Sequence, residues 1–464
     1  MIDGLKAYPS YKDSGVPWLS QVPEHWIVLR GKWLFCRKKQ INEDGAVINV
    51  LSLTLRGVVN NDINNPEGLV PKDYATYQLF RKNDLVFKLI DLENIRTSRV
   101  GLVHENGIMS SAYVRLSPKK ASNNRFFYQQ YYDLYQRGIY NQLGAGVRST
   151  LGPNDLLNLR ILIPSDEEQY RIVQFIDHAN RNIQRYIRAK QKLINLLEEQ
   201  KQAIIHKAVT HGLDPKVRLK SSNTSWLDGI PEHWELVPLK SICFIQSGVT
   251  LGKNYFGESL KEYPYLRVAN VQAGRMDLRV IKTIRLPEIE AQRSILRPGD
   301  VLMTEGGDPD KLGRGCVWEG QVSGCLHQNH IFAVRPNLQK LLPHFLAALL
   351  VSEYAKIYFL RTAKQTTNLA STNKTTIGQF RIPLPSKVEQ EEILNKLNIE
   401  LHPVNDAIEH SKQDIDLIRE YRTCLISNVV TGKLDVRYAA ALLPDEVEEP
   451  DVLAETEEEI EVVG

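Results

Sequence analysis

Apolar residues recur at helical spacing, without one glycine, over residues 172–209 and again over residues 393–430. In the second stretch a seam runs Leu397, Leu401, Val404, Ile408, Ser411, Ile415, Ile418, Arg422, Leu425, Val429. Its steps alternate four and three, the heptad period of a coiled coil. Moved back by 221 residues, the seam reads Ile176, Asn180, Ile183, Ile187, Lys190, Ile194, Leu197, Lys201, Ile204, Ala208. Polar residues interrupt both copies at matching places, Lys190 with Ser411 and Lys201 with Arg422. Such positions fix register at some cost in stability. About 38 residues at 1.5 Å each predict a rod of roughly 57 Å. Gly212 and Gly432 suit helix termination, whereas Pro403 is expected to kink the second helix or to start it anew. Two unrelated amphipathic helices, each packed on its own domain, would also show this period. The shared phase and shared polar breaks favour pairing of the helices with each other.

The chain is written twice. Trp18-Leu19 followed by Val22-Pro23-Glu24-His25-Trp26 returns as Trp226-Leu227 followed by Ile230-Pro231-Glu232-His233-Trp234, at an offset of 208. Pro164-Ser165 with Glu168-Gln169 returns as Pro385-Ser386 with Glu389-Gln390, at an offset of 221 that holds to Thr210 and Thr431. Similar frames thus hold two unlike inserts. The organisation expected is a leading segment of the first repeat over 1–26, an insert over 27–157 and a helical spacer over 158–215. A repeated leading segment follows over 216–234, then an insert over 235–378, a helical spacer over 379–437 and an acidic, unstructured tail over 438–464.

Both inserts read as mixed α+β domains. Short β-rich runs are Val47 to Leu53, Leu85 to Leu89 and Ala112 to Leu116, and later Tyr265 to Val268, Val301 to Met303 and Ile331 to Val334. Phe80-Arg81-Lys82-Asn83-Asp84-Leu85 is similar to Leu296-Arg297-Pro298-Gly299-Asp300-Val301, a turn leading into a strand. The helical stretches after Arg125 and after Pro343 are also alike. Elsewhere the inserts diverge, as expected of two heads that read different things.

Composition changes this picture in two ways. The formal net charge of +3 hides ten acidic residues and no Lys or Arg between Asp445 and Gly464, so the rest of the chain carries +13. A basic body attracts phosphates. The five cysteines are widely spaced, with no C-x2-C pair, which suggests neither a zinc site nor a disulfide framework and fits a reducing cytoplasm. No apolar run approaches a membrane span, and Met1 to Tyr8 lacks the apolar core of a signal peptide.

Enzyme signatures are missing. An adenine methyltransferase holds its flipped base with an Asn/Asp-Pro-Pro-aromatic motif, and the sequence contains no Pro-Pro pair. Gly248 to Asn254 is one residue short of a phosphate loop and lacks its Ser/Thr. Glu305, Asp308, Asp310 and Lys311 cluster in a Gly-rich loop without the spacing of a metal-dependent nuclease. His25 and His233 recur without a repeated nucleophile, which reads as a structural corner. No catalytic and no metal-binding residue is therefore assigned. The competing expectation is a self-contained DNA methyltransferase or nuclease with its own recognition domains.

The doubled Trp-Leu-x-x-x-Pro-Glu-His-Trp, the doubled Pro-x-x-x-Glu-Gln opening a long helix and the Thr-x-Gly endings resemble the specificity (S) subunits of type I restriction–modification enzymes. The resemblance covers residues ~14–437. It implies an α+β fold, in which two globular mixed α/β target recognition domains are joined by two long antiparallel coiled-coil helices with an internal pseudo-twofold repeat. It implies that each domain reads one half of a bipartite, asymmetric site on double-stranded DNA and that the helices set the gap. The partners it implies are two modification (methyltransferase) subunits and ATP-dependent restriction subunits. No cofactor is expected in this chain; S-adenosylmethionine, ATP and Mg2+ are expected in those partners.

Arg and Lys hold phosphates, while Arg, Asn and Gln read base edges. The DNA-binding candidates of the first insert are Arg56, Lys88, Arg96, Arg99, Arg148, Ser149 and Thr150. Those of the second are Thr250, Lys253, Arg267, Asn270, Gln272, Arg314, Gln328, Asn329, Lys364, Gln365 and Asn368. Helix pairing falls to Ile176, Ile183, Ile187, Ile194, Leu197 and Ile204 with Leu397, Val404, Ile408, Ile415, Ile418 and Leu425.

Overall fold

The Pro-Ser-x-x-Glu-Gln signature starts a long helix in both copies, and the same side chains cap it. A computed structural model describes residues 5–63, 73–92, 97–120, 122–143, 150–224, 226–252, 255, 259–272, 274–307, 312–313, 315–365 and 370–443. The long helices span Asp166–His211 and Lys387–Val430. Ser165 Oγ accepts from Glu168 N at 3.3 Å, and Ser386 Oγ from Glu389 N at 3.2 Å, so each serine takes an otherwise orphaned N–H of the first turn. Gln169 Nε2 donates to Pro164 O and Gln390 Nε2 to Pro385 O, both at 3.0 Å. The helix does not start anew at Pro403 but runs through it. Pro403 and Ile399, whose carbonyl loses its N–H partner, both lie on the exposed face, where water can serve that carbonyl. Proposed tail residues 444–464 lie outside the described residues. Tyr438 to Ala441, assigned to the tail from sequence, instead belong to a short helix, Arg437–Ala441, that buries Ala440.

The chain divides into two compact units, Met1–Ala189 with Asp414–Gly464, and Lys190–Gln413. Each long helix gives one half to each unit, so neither unit is built from one copy of the repeat. In the first unit Ile176, Ile183, Ile415 and Leu425 are buried, and Ile187 and Ile418 half-buried. Two polar seam positions meet there: Arg422 Nε donates to Asn180 Oδ1 at 2.9 Å. Tyr186 OH reaches Asp414 Oδ2 at 3.5 Å, so partner numbers run in opposite directions and the pairing is antiparallel. In the second unit Ile194, Leu397, Val404, Ile408 and Ser411 are buried, with Leu197 half-buried. Ile205 rather than Ile204 is buried near the end of the first helix, because the core around Trp234 takes up Ile205, Ala208 and Val209 together.

The second repeated signature docks on the first. Glu168 is buried, and its Oε1 accepts from Tyr8 OH at 2.7 Å and Trp26 Nε1 at 3.1 Å. Its Oε2 meets His25 Nε2 at 2.9 Å. Gly432, just past the second helix, has φ 77°, and a Cβ there would stand 2.4 Å from Pro23 Cδ. In the second unit Glu389 takes His233 Nε2 at 3.2 Å, and Gly212, with φ 75°, lies against Trp234. The histidines thus stand at structural corners. A further repeated element precedes each corner, a hairpin of Tyr11–Val16 with Leu19–Pro23 and of Leu219–Thr224 with Leu227–Pro231. In it Ser14 Oγ bonds Leu19 O and Ser222 Oγ bonds Leu227 O.

Each insert leaves and rejoins its frame through a strand pair, Ile27–Arg30 with Arg160–Ile163 and Glu235–Pro238 with Arg381–Leu384. Each then builds an antiparallel four-stranded sheet. Its strand order is Phe35–Arg37, Val114–Pro118, Leu85–Phe87, Val100–Leu102 in the first unit. In the second it is Cys243–Ser247, Ile331–Pro336, Asp300–Thr304, Gly315–Trp318. The similar turns hold similar ion pairs, Asp84 with Arg115 at 2.6 Å and Asp300 with Arg335 at 2.7 Å. The inserts part beyond this sheet. The first adds a hairpin of Leu51–Thr54 with Gly57–Asn60. The second adds a three-stranded sheet of Lys282–Pro287, Leu260–Leu266 and Leu326–His327.

Removing the Glu168 carboxylate strands the N–H of Trp26 and the O–H of Tyr8 in the core. Each buried unsatisfied group costs about 1–3 kcal/mol. Glu168→Ala is therefore expected to lower stability by about 3–5 kcal/mol and the calorimetric melting temperature by roughly 10 °C. Glu389→Ala removes a contact to an exposed histidine and should cost about 1 kcal/mol or less. Equal losses would contradict the reading of Glu168 as the stronger anchor.

Candidate nucleic-acid interface

In the second unit the divergent strands bring several sequence-predicted residues to one place. Val249 bridges to Gln328, and Asn329 N donates to Val249 O at 3.0 Å. Gln328 N donates to Leu266 O at 2.9 Å, and Gln328 Oε1 accepts from Val268 N at 3.4 Å. Thr250, Arg267, Gln328 and Asn329 therefore surround a single crossing of the chain. Gly248 is needed at that crossing because a Cβ would meet His327 O at 2.2 Å. Close backbone approach, not phosphate cradling, accounts for this glycine. His327 beneath is buried, its Nδ1 against Ile331 O at 2.9 Å, and burial pushes its pKa down to about 4. Thr250 is exposed and Arg267 half-buried, with Arg267 Nε lacking an acceptor among the described residues.

Other predicted residues have different surroundings. Asn270 is buried: its Oδ1 accepts from Arg267 N at 2.8 Å, and its Nδ2 donates to Asp277 O at 2.7 Å and Val280 O at 3.0 Å. Its hydrogen-bonding groups are spent on the loop, so its part is to hold Arg267. Gln272 is exposed and donates to Ala269 O at 2.8 Å. Lys364 is exposed on a short strand paired with Ala370–Ser371. In the first unit Arg99 is wholly buried, with its guanidinium on the carbonyls of Ile90 and Asp91. That places it inside the fold rather than on a surface for DNA. Lys88 Nζ donates to Thr97 Oγ1 at 3.1 Å, and its pKa is lowered by burial and then by Arg99. Thr150 is exposed. Arg96, Arg148, Ser149, Lys253, Arg314 and Asn368, with Asp308, Asp310 and Lys311, lie outside the described residues, as does the Gln365 side chain. Glu305 is occupied by His330 Nδ1 at 2.5 Å. Among the described residues no three His, Cys, Asp or Glu side chains gather as a metal site, and no helix is long and apolar enough to cross a membrane.

A further concentration of positive charge lies in a cleft of about 770 Å³ within the first unit. One wall is the turn between Leu51–Thr54 and Gly57–Asn60, which carries Arg56. Helix Asn124–Gln136 adds Arg125, Tyr128 and Tyr132. The floor is the helical pair, with Arg181, Arg185 and Arg188 from the first helix and Arg419 and Arg422 from the second. Asp133 and Asp177 are the carboxylates of its lining. Arg125 pairs with Asp177 at 2.9 Å, and Arg137 reaches Asp133 at 3.5 Å. Of these residues only Arg56 stood out in the sequence as a DNA-binding candidate. The others were legible in principle, since Arg181, Arg185 and Arg188 step by four and three and so share one helical face.

Asn270→Ala should lower unfolding stability by about 2–3 kcal/mol, since it strands a buried N–H and two carbonyls. Gln272→Ala, at an exposed site, should change it by under ~0.5 kcal/mol. Denaturant titration of the two variants separates loop support from surface; equal effects would refute the distinction.

Comparison with known proteins places this geometry. The chain matches the type I restriction modification DNA specificity domain over residues 36–198 and again over 231–415. It is 25% identical over 345 residues to the type I restriction enzyme MjaVIII specificity subunit of Methanocaldococcus jannaschii, covering 72% of this chain and 76% of that one. It is 22% identical over 343 residues to the EcoBI specificity subunit of Escherichia coli, covering 72% and 69%. In fold it is similar, with a TM-score of 0.62 at 17% identity, to a solved chain of a type I R-M system, over 89% of this chain and 99% of that chain. With both halves matched, the chain belongs to the type I restriction modification DNA specificity family.

Proposed function

We propose that this chain is the DNA-reading specificity subunit of a type I restriction–modification complex. Each insert reads one half of a bipartite, asymmetric site, and the two long helices, which continue from one unit into the other, set the gap between the halves. The observation that carries this reading is the pairing of one repeated frame with two divergent inserts. Both units keep the glutamate corner, the capped helix and the four-stranded sheet, and they differ in the loops added beyond the sheet. A protein that must present two different surfaces on one symmetric support needs that division.

The chemistry falls to partners. Two modification subunits bind S-adenosylmethionine and methylate adenine, one beside each head, and restriction subunits use ATP and Mg2+ to cleave unmodified DNA. The repeated frame offers each modification subunit an equivalent docking surface. The whole assembly works in the cytoplasm. In the second head, exposed Thr250 and half-buried Arg267 are the donors best placed to meet DNA.

Methylome sequencing tests this reading in a host carrying the chain with its cognate modification subunit, against a host lacking only this chain. An asymmetric, two-part motif methylated on adenine, with a fixed gap, is expected only when the chain is present. Unchanged methylation, or methylation without the modification subunit, would return the chain to the enzyme class.

A further inference from the structure

The frame is symmetric in its apolar seam and asymmetric in its charge. In the first unit the helical pair presents Arg181, Arg185, Arg188, Arg419 and Arg422 to the cleft. At the offset of 221 the matching residues of the second unit are His402, Asp406, Glu409, Glu198 and Lys201. Five cations on one copy thus face one cation, three carboxylates and a histidine on the other. His402 and Asp406 are engaged with each other at 3.4 Å. Buried seam residues such as Ile183 and Val404 keep their apolar character at matching positions, so the charge difference is confined to the faces beside the seam.

Arg125 pairs with Asp177 and Arg419 with Asp416 at 3.4 Å, but other cleft arginines are not neutralised in this way. Among the described residues no carboxylate lies within ion-pair distance of Arg56, Arg185 or Arg188. Arg422 spends its Nε on Asn180, which carries no charge. The same field is felt by His178, whose pKa is lowered by burial first and then by Arg181 and Arg185. A concave surface lined by seven arginines and two carboxylates focuses positive potential and suits the bidentate holding of phosphates. Arg56 faces the helical arginines from a turn of the insert, so an occupant of the cleft touches frame and reading head together.

We infer that the arginine-lined cleft of the first unit is a seat for the DNA phosphate backbone, and that this head anchors the complex electrostatically while the second binds with little help from its helical face. The inference rests on the DNA-reading role proposed above and adds an asymmetry between the heads. The two half-sites are then held by different balances of forces. Salt weakens the grip of the first head far more than that of the second, and mismatches in the second half-site are discriminated with less phosphate contact to mask them.

The test uses the full chain with its modification subunit and a duplex carrying the methylated motif, titrated between ~50 and ~200 mM salt. Each lost phosphate contact lowers the slope of log affinity against log salt by about 0.9. The triple variant R181Q/R185Q/R188Q should lose roughly 2–3 from that slope, so that its affinity falls about 40-fold less than the parent's across the range. R56Q should lose about 1. Arg185 and Arg188 are exposed and Arg181 half-buried, so the melting temperature should fall little, and the methylated motif should be kept. An unchanged slope in the triple variant with a normal melt overturns the inference. So does a loss of slope that disappears when residues 445–464 are trimmed, since the acidic tail would then be the occupant. So does loss of modification-subunit assembly with DNA affinity otherwise intact. A parent chain that yields no methylated motif fails earlier, at the DNA-reading role itself.

Discussion

A buried carboxylate holds the first unit in register. Glu168 stands in the first turn of a long helix and is surrounded by Tyr8, His25 and Trp26, residues far away in sequence. Burying a carboxylate is costly unless hydrogen bonds replace its water, and here three partners do so. The same contacts fix where the insert departs from the helices, because the strand Ile27–Arg30 follows Trp26 directly. The Tyr8 phenol, whose pKa is pushed far above its ordinary value by burial and then by Glu168, remains a donor. In the second unit Glu389 turns both oxygens to His233, and Trp234 Nε1 is buried with no acceptor among the described residues. The repeat thus preserves the corner while relaxing its satisfaction, which makes the first unit the more tightly determined of the two.

Around these corners the frame separates packing from function. The seam and the caps recur because both units meet the same requirement, the burial of one helical stripe against an antiparallel partner. The insert loops and the faces beside the seam are free of that requirement, and there the copies diverge. The second insert gathers Thr250, Arg267, Gln328 and Asn329 at one chain crossing. The first unit instead concentrates arginine between its insert hairpin and its helices.

The frame was legible in the sequence because its constraints are local and periodic. Heptad steps gave the buried faces, and the doubled signatures gave the corners and caps. Position-by-position reading failed where a tertiary contact redirected a residue. Arg99 looked like a phosphate ligand, yet it satisfies buried carbonyls. Asn270 looked like a base reader, yet it ties a loop. Arg422 matches Lys201 as a polar break in the two seams, yet its hydrogen-bond partner is Asn180, which only antiparallel pairing brings opposite. Pro403 looked like a point for the second helix to start anew, yet the helix runs through it, since on an exposed face the lost hydrogen bond falls to water. The helical arginines were passed over because charge on a solvent-facing stripe has no signature until a second element closes over it.

The claim most exposed to experiment is that the frame sets distance while the inserts set sequence. Its most direct measurement is the methylated motif of a chain carrying one extra heptad in each long helix, inserted after Ala189 and after Gln413, where the two units divide. Seven residues preserve the seam phase. The account predicts both half-sites unchanged with a longer gap between them. An altered half-site with an unaltered gap would contradict it.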